Sequence, residues 1–169
     1  MAKHINLREY QQALAAKIAQ AGAETAPHAR LGVQSGGRQW LIRLNDAGEV
    51  LPLPAVTPVP LTRQWFLGLA NIRGNLTGVV DFAGLTGEPP TQRSPDCRLV
   101  LVAERYGVHS GLLVARMVGL RNIHQFQAEE GAADRPWIRG AFRDAEGRRW
   151  YELNIGVLVA HGDFLQVSL

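Results

Sequence analysis

The chain has 169 residues, with 18 basic against 15 acidic side chains and a formal charge of +3, long enough to bury a core without disulfide staples. A single cysteine, Cys97, excludes an internal disulfide framework and suits a reducing compartment. No apolar run reaches the roughly 18 residues of a membrane-spanning helix, and Met1-Ala2-Lys3-His4 leads into polar sequence without a signal-peptide core, so the expectation is a cytoplasmic protein with no direct membrane insertion.

Leu7, Tyr10, Leu14, Ile18 and Ala21 recur at spacings of three and four, which predicts an amphipathic helix over residues 6–21. Asn6 stands at the N-cap, Glu9 completes a capping box, and Gly22 can end the helix. So wide an apolar stripe needs a surface, and packing on the chain's own domain is favoured over a partner-binding arm. Residues 23–29, with Pro27, read as a linker.

From Arg30 the period changes to that of short strands. Residues 31–35 and 38–44 flank Gly36-Gly37, whose backbone accepts the positive angles of a tight hairpin turn. Asn45 to Gly48 form a turn or short helical connection, and residues 49–53 a further strand that Pro52 and Pro54 confine to an edge or an end. Pro58 and Pro60 hold an extended link. The stretch from Phe66 to Asn75 then reads as an apolar strand carrying Asn71 and Arg73, with a turn at Gly74-Asn75 before the next apolar run, Val79 to Phe82. A guanidinium placed among apolar neighbours is exposed or paired, which points to recognition.

Residues 84–95 form the best loop candidate and the expected crossing between two subdomains. Strands resume over 98–103 and 109–114 with a turn at Tyr106-Gly107. Residues 128–135 are polar and loose. Residues 138–142, 148–154 and 164–169 read as closing strands, with Gly147 in a turn and a short helical turn over 155–160. The sum is one helix followed by roughly eight to ten short strands, an all-β sandwich or barrel.

The search for chemistry returns little. The five histidines are scattered without metal-ligand spacing, and Cys97 reads as a small buried hydrophobe. No nucleophile elbow, phosphate loop or dinucleotide fingerprint is present. Asp81 reads as a turn or cap residue, and with Glu49 and the histidines it is all that a hydrolase could offer. No catalytic residue, metal or cofactor is expected. Sixteen residues are arginine, Lys3 and Lys17 being the only lysines, yet no dense basic run appears beyond Arg148-Arg149. The alternative reading, a small basic β-barrel binding single-stranded nucleic acid, rests on the pI near 9.5 and on Trp40, Trp65, Trp137 and Trp150 as stacking platforms.

Gly68-Leu69-Ala70-Asn71-Ile72-Arg73-Gly74 resembles the Gly-x-x-Asn-Leu-Arg-Gly signature of the CheW-like chemotaxis coupling proteins. Glu49-Val50, the Pro-ending link at Val56 to Pro60, Val79 to Phe82, Gly111 to Val114, Gly140 and Leu153 to Ile155 resemble the family's other segments in the same order. The resemblance runs from about Arg30 to Val159. It implies an all-β fold of two small five-stranded SH3-like β-barrel subdomains packed together, with the N-terminal helix as an addition. It divides the chain into residues 1–29 and a domain over 30–169. It implies a non-catalytic scaffold between the helical tip of a chemoreceptor and the regulatory domain of a CheA-type histidine kinase, with no nucleic-acid partner. Asn71, Arg73 and Gly74 fall on the signature that supports the receptor groove, and Ala47, Glu49 and Val50 on a segment implicated in partner contacts. The family usually has Asp after the Gly-Leu-x-Val strand; here Ala115 and Arg116 follow. The wording of residues 69–75 with Val80-Asp81-Phe82 looks most like the branch serving type IV pili and twitching motility.

Overall fold

The structure is a computed structural model that describes residues 26–169; the helix expected over residues 6–21 lies outside the described residues. Eleven strands follow in order: β1 (Ala29–Ser35), β2 (Arg38–Arg43), β3 (Ala47–Pro52), β4 (Phe66–Ile72), β5 (Asn75–Asp81), β6 (Arg98–Val102), β7 (Ser110–Val114), β8 (Arg116–Asn122), β9 (Gln127–Glu129), β10 (Ile138–Arg143) and β11 (Arg149–Leu153). The α-helices are short: α1 (Phe82–Leu85), α2 (Ile155–Ala160) and α3 (Gly162–Leu165). Among the described residues the fold is mostly β, with a few short helices beside the strands that the sequence led us to expect. The strands form a six-stranded sheet, β8-β1-β2-β11-β10-β9, and a five-stranded sheet, β3-β6-β7-β5-β4. One sheet thus has a sixth strand beyond the expected five, the short β9.

Side-chain alternation sorts the five-stranded sheet's residues into two cores. Val80, Val100, Val102, Leu112 and Val114 join Leu31, Val33, Trp40, Ile42 and Leu153 of the other sheet in the main core between the sheets. Their sequence neighbours Val79, Leu99 and Leu113 join Ala70 and Cys97 in a second core, flanked by Leu51, Leu53, Val56 and Leu67. Burial on both faces explains why β6 and β7 read as continuous apolar runs.

Several connections differ from the sequence expectation. The chain leaves the six-stranded sheet through a 3-10 turn at Leu44–Asp46 and returns at Ala115, which separates β7 from β8 and donates its N–H to Gln34 O at 2.9 Å. Residues 86–97 join α1 to β6 within the five-stranded sheet, so the chain does not change sheets in the loop expected over 84–95. β8, with Arg at both ends of its apolar stretch and Gly119 at φ +115, carries no clean alternation and was not expected. The strand expected over 164–169 is replaced by α3 and one bridge, Thr62 to Ser168. The hairpin at Gly36-Gly37, with φ of +59 and +71, and the helical turn over 155–160 are as expected.

The turn between β10 and β11 is held by Asp144. Its carboxylate accepts from the Trp150 indole N–H at 3.0 Å and from the Arg148 backbone N–H and Nε, both at 2.8 Å. Burial pushes this carboxyl upward, but the Trp150 and Arg148 donors outweigh it and hold the group at about 2. The folded value lies below the ordinary carboxylate value, so the stabilisation is full above pH 3.8 and is lost as pH falls towards 2. The difference in melting temperature between the wild type and Asp144→Asn should therefore shrink over that window; a constant difference counts against this role.

Candidate partner-binding site

The β4–β5 hairpin is built from the signature residues. Ile72 pairs with Asn75, leaving Arg73 and Gly74 as a two-residue turn with φ of +53 and +84, the pattern of a type I′ hairpin turn. Asn71 Oδ1 accepts the Gly74 N–H at 2.8 Å and braces it. The turn therefore lies one residue earlier than Gly74-Asn75. Arg73 is outside the strand, with a side chain 76% exposed, instead of being set among buried apolar groups. A left-handed conformation costs a residue with a Cβ about 1–2 kcal/mol, so Arg73 holds its place at a local cost.

At the strand's other end Gly68 has φ +131, and a Cβ there would sit 2.1 Å from Thr57 O. The close approach lets Thr57 and Leu69 exchange backbone hydrogen bonds of 2.8 and 2.9 Å. The segment leaving β3 is thereby stitched to β4, although β3 and β4 are the two outer strands of the sheet. β3 adds a second link between those edges. Ala47 pairs with Val102 and Val50 with Val100, so Gly48 and Glu49 lie together opposite Leu101 in a bulge. Bulges re-aim side chains, and Glu49 Oε1 here accepts from Arg73 Nη2 at 2.7 Å. Ala47 and Val50 are half-buried and pack against the main core. Of the six residues singled out by sequence, the structure thus brings Glu49, Asn71, Arg73 and Gly74 together at the turn, while Ala47 and Val50 anchor the strand beneath.

An exposed ion pair of this kind contributes about 0–1 kcal/mol, less than the left-handed turn costs. What the arrangement achieves is the display of a fixed guanidinium and carboxylate at one end of the sheet. Beside it lies a shallow depression lined by Ile72, Thr77, Leu101, Val108 and His109. Leu76, next in the hairpin, is 67% exposed. Thr57 and Leu76 were missed by sequence reading; the glycine opening the signature was the one signal of a close backbone approach.

The remaining candidates have structural roles. Asp81 caps α1 through the Ala83 N–H at 3.2 Å and holds the following loop through Thr91 N and Oγ1 at 2.9 and 2.6 Å. Cys97 is buried and its thiol donates to Gln92 O. Among the described residues no three His, Cys, Asp or Glu side chains gather as a metal site, and no helix is long and apolar enough to cross a membrane. Trp40, Trp137 and Trp150 are each 1% exposed, so these three rings fill the interior and offer no stacking platform to nucleic acid, while Trp65 is half-buried and packs against the core.

Comparison with known proteins agrees with this architecture. Over 146 residues the chain is 32% identical to Protein PilI of Pseudomonas aeruginosa, covering 82% of this chain and 79% of that protein. The crystal structure of the scaffolding protein TtCheW from Thermoanaerobacter tengcongensis superposes with a TM-score of 0.68 at 18% identity, covering 81% of this chain and 95% of that one, and shows the shared fold. Residues 30–163 match the CheW-like domain. With the signature at the turn and the matched domain spanning both sheets, the chain belongs to the CheW-like family of non-catalytic scaffolds in chemosensory signalling.

Proposed function

We propose that this chain couples the cytoplasmic helical tip of a chemoreceptor to the regulatory domain of a CheA-type histidine kinase, in a cytoplasmic pathway controlling type IV pilus twitching motility. The observation that carries the reading is the Glu49–Arg73 pair, 2.7 Å apart on a strained turn whose conformational cost the pair does not return in stability. A partner helix offering both polar and apolar groups would meet the guanidinium, the carboxylate and the neighbouring Leu101 and Val108. The assignment to pili rests on the likeness of residues 69–82 to that branch and on the 32% identity to Protein PilI. The links between the outer strands suit SH3-like barrel closure of the five-stranded sheet, and residues 1–29 are read as a helix and linker added to a domain over 30–169.

Arg73→Glu should preserve the fold, because the residue is exposed, and should weaken co-sedimentation with a receptor signalling fragment about tenfold or more, since it places two carboxylates face to face. Binding measured with the purified fragment and kinase control measured in the reconstituted mixture test this directly. A folded Arg73→Glu chain that binds and controls the kinase like the wild type would refute the assignment.

A further inference from the structure

We propose that the arginine-rimmed depression at the crossing between the sheets is a second docking site, which takes clustered carboxylates from an acidic segment of a protein partner. It rests on reading the neighbouring β3 as part of a partner surface. Four separate segments contribute a guanidinium: Arg30 from β1, Arg43 from the end of β2, Arg105 from the 3-10 turn after β6, and Arg139 from β10. Arg139 is the extra residue of a bulge, between Ile138, which pairs with Leu153, and Gly140, which pairs with Glu152.

Two buried carboxylates stand behind these arginines. Glu152 Oε1 accepts from Arg30 Nε at 2.6 Å and Arg43 Nε at 3.2 Å. Asp46, 1% exposed, pairs with Arg105, whose Nη2 also meets the Tyr106 hydroxyl at 2.9 Å while its guanidinium lies over the Tyr106 ring. The Arg139 guanidinium has no hydrogen bond or ion pair among the described residues. Four positive groups thus face two negative ones. Arg43 and Arg105 are fixed through one nitrogen each, and their other side-chain N–H groups make no hydrogen bond among the described residues. Guanidiniums already held in place lose little further freedom on gripping a carboxylate, and incoming negative charge relieves their mutual repulsion.

The surroundings favour a protein segment over a nucleic acid. Leu44, Pro27 and Ala29 supply apolar walls within the depression, and Asp46 leads directly into Ala47 of β3. Away from the depression, Arg38 is paired with Glu88 and Asp134, Arg143 and Arg149 with Glu129, and Arg148 with Asp144. These paired arginines offer a phosphodiester backbone little uncompensated charge.

The test is titration of a hexaglutamate peptide into the full chain by calorimetry at about 50 and about 300 mM salt, with hexaglutamine and inorganic phosphate as comparisons. The expected result is one-to-one, salt-weakened binding of hexaglutamate alone. Arg139→Glu should reduce its affinity about tenfold or more and Arg139→Gln by a smaller factor. Arg93→Glu, an equal charge change at an exposed position outside the depression, should leave it unchanged. Equal binding of phosphate, insensitivity to Arg139, or no hexaglutamate binding would each overturn the proposal. Arg73→Glu should leave hexaglutamate affinity intact, so failure of the turn as a receptor contact and failure of this site are separate results.

Discussion

Glu152→Ala is expected to lower the free energy of unfolding by about 3–5 kcal/mol, because it strands a buried positive charge. Arg30 and Glu152 have side chains only 7% and 4% exposed and meet at 2.6 Å. Arg30 also spends Nη1 on the carbonyls of Pro27 and Ala29, so it cannot swing out to solvent without dismantling the start of β1. Arg43, with a side chain 40% exposed, can rehydrate when its partner is lost; the penalty therefore falls on Arg30. For a domain of this size the loss corresponds to a fall in melting temperature of roughly 6–20 °C. Urea denaturation should show a lower midpoint at unchanged slope. The double variant Arg30→Met with Glu152→Leu should recover most of the loss, since removing both charges also removes the desolvation cost. A single variant within about 0.5 kcal/mol of the wild type would show that the pair is not sealed from water.

Gly68→Ala should be nearly as damaging, by a different route. At φ +131 a residue with a side chain is strained by about 1–3 kcal/mol. Its Cβ would also lie 2.1 Å from Thr57 O and 2.7 Å from Thr57 C, backbone atoms that cannot rotate away. Overpacking of this kind adds about 1–3 kcal/mol. The strain is released only by parting Thr57 from Leu69, which opens the seam between the two outer strands. Amide exchange should then be faster at Thr57 and Leu69 than at β1 and β2, and the melting temperature should drop. Gly74→Ala, at φ +84 with no atom within 4 Å of the added Cβ, meets only the conformational cost and should be the milder change. Equal exchange at Thr57 in Gly68→Ala and wild type would contradict the steric account.

What was legible in the sequence were features fixed by neighbouring residues. Gly36-Gly37 could be read as a hairpin turn because two glycines tolerate positive φ, and Asp81 as a cap because its role is met within a few residues. The family signature located the turn to within one residue. It could not reveal that Arg73, a residue with a Cβ, takes the first left-handed position, since that choice is made by the Ile72–Asn75 register and the Asn71 brace. β8 escaped notice because half-buried edge residues flanked by arginines blur the alternation. The Glu49–Arg73 link and the cluster around Glu152 escaped for a stronger reason. Each joins strands far apart in the chain, and no local pattern announces a charge that meets its partner only after the sheets have formed.

The chain's path through its two sheets bears on how the molecule is made. The five-stranded sheet is drawn from one continuous stretch, β3 to β7, whereas the other needs both ends of the domain, with β2 lying parallel to β11 through Gln39–Trp150 and Leu41–Glu152. During synthesis the central stretch can close its own loops as it leaves the ribosome. β1 gains a neighbour once β8 has emerged, but β2 must wait, with one edge unpaired, until β11 emerges. The long-range closure entropy is concentrated in that final step. The nascent chain is therefore most exposed to aggregation and to holdase chaperones just before β11 is complete, after half of its architecture is already in place.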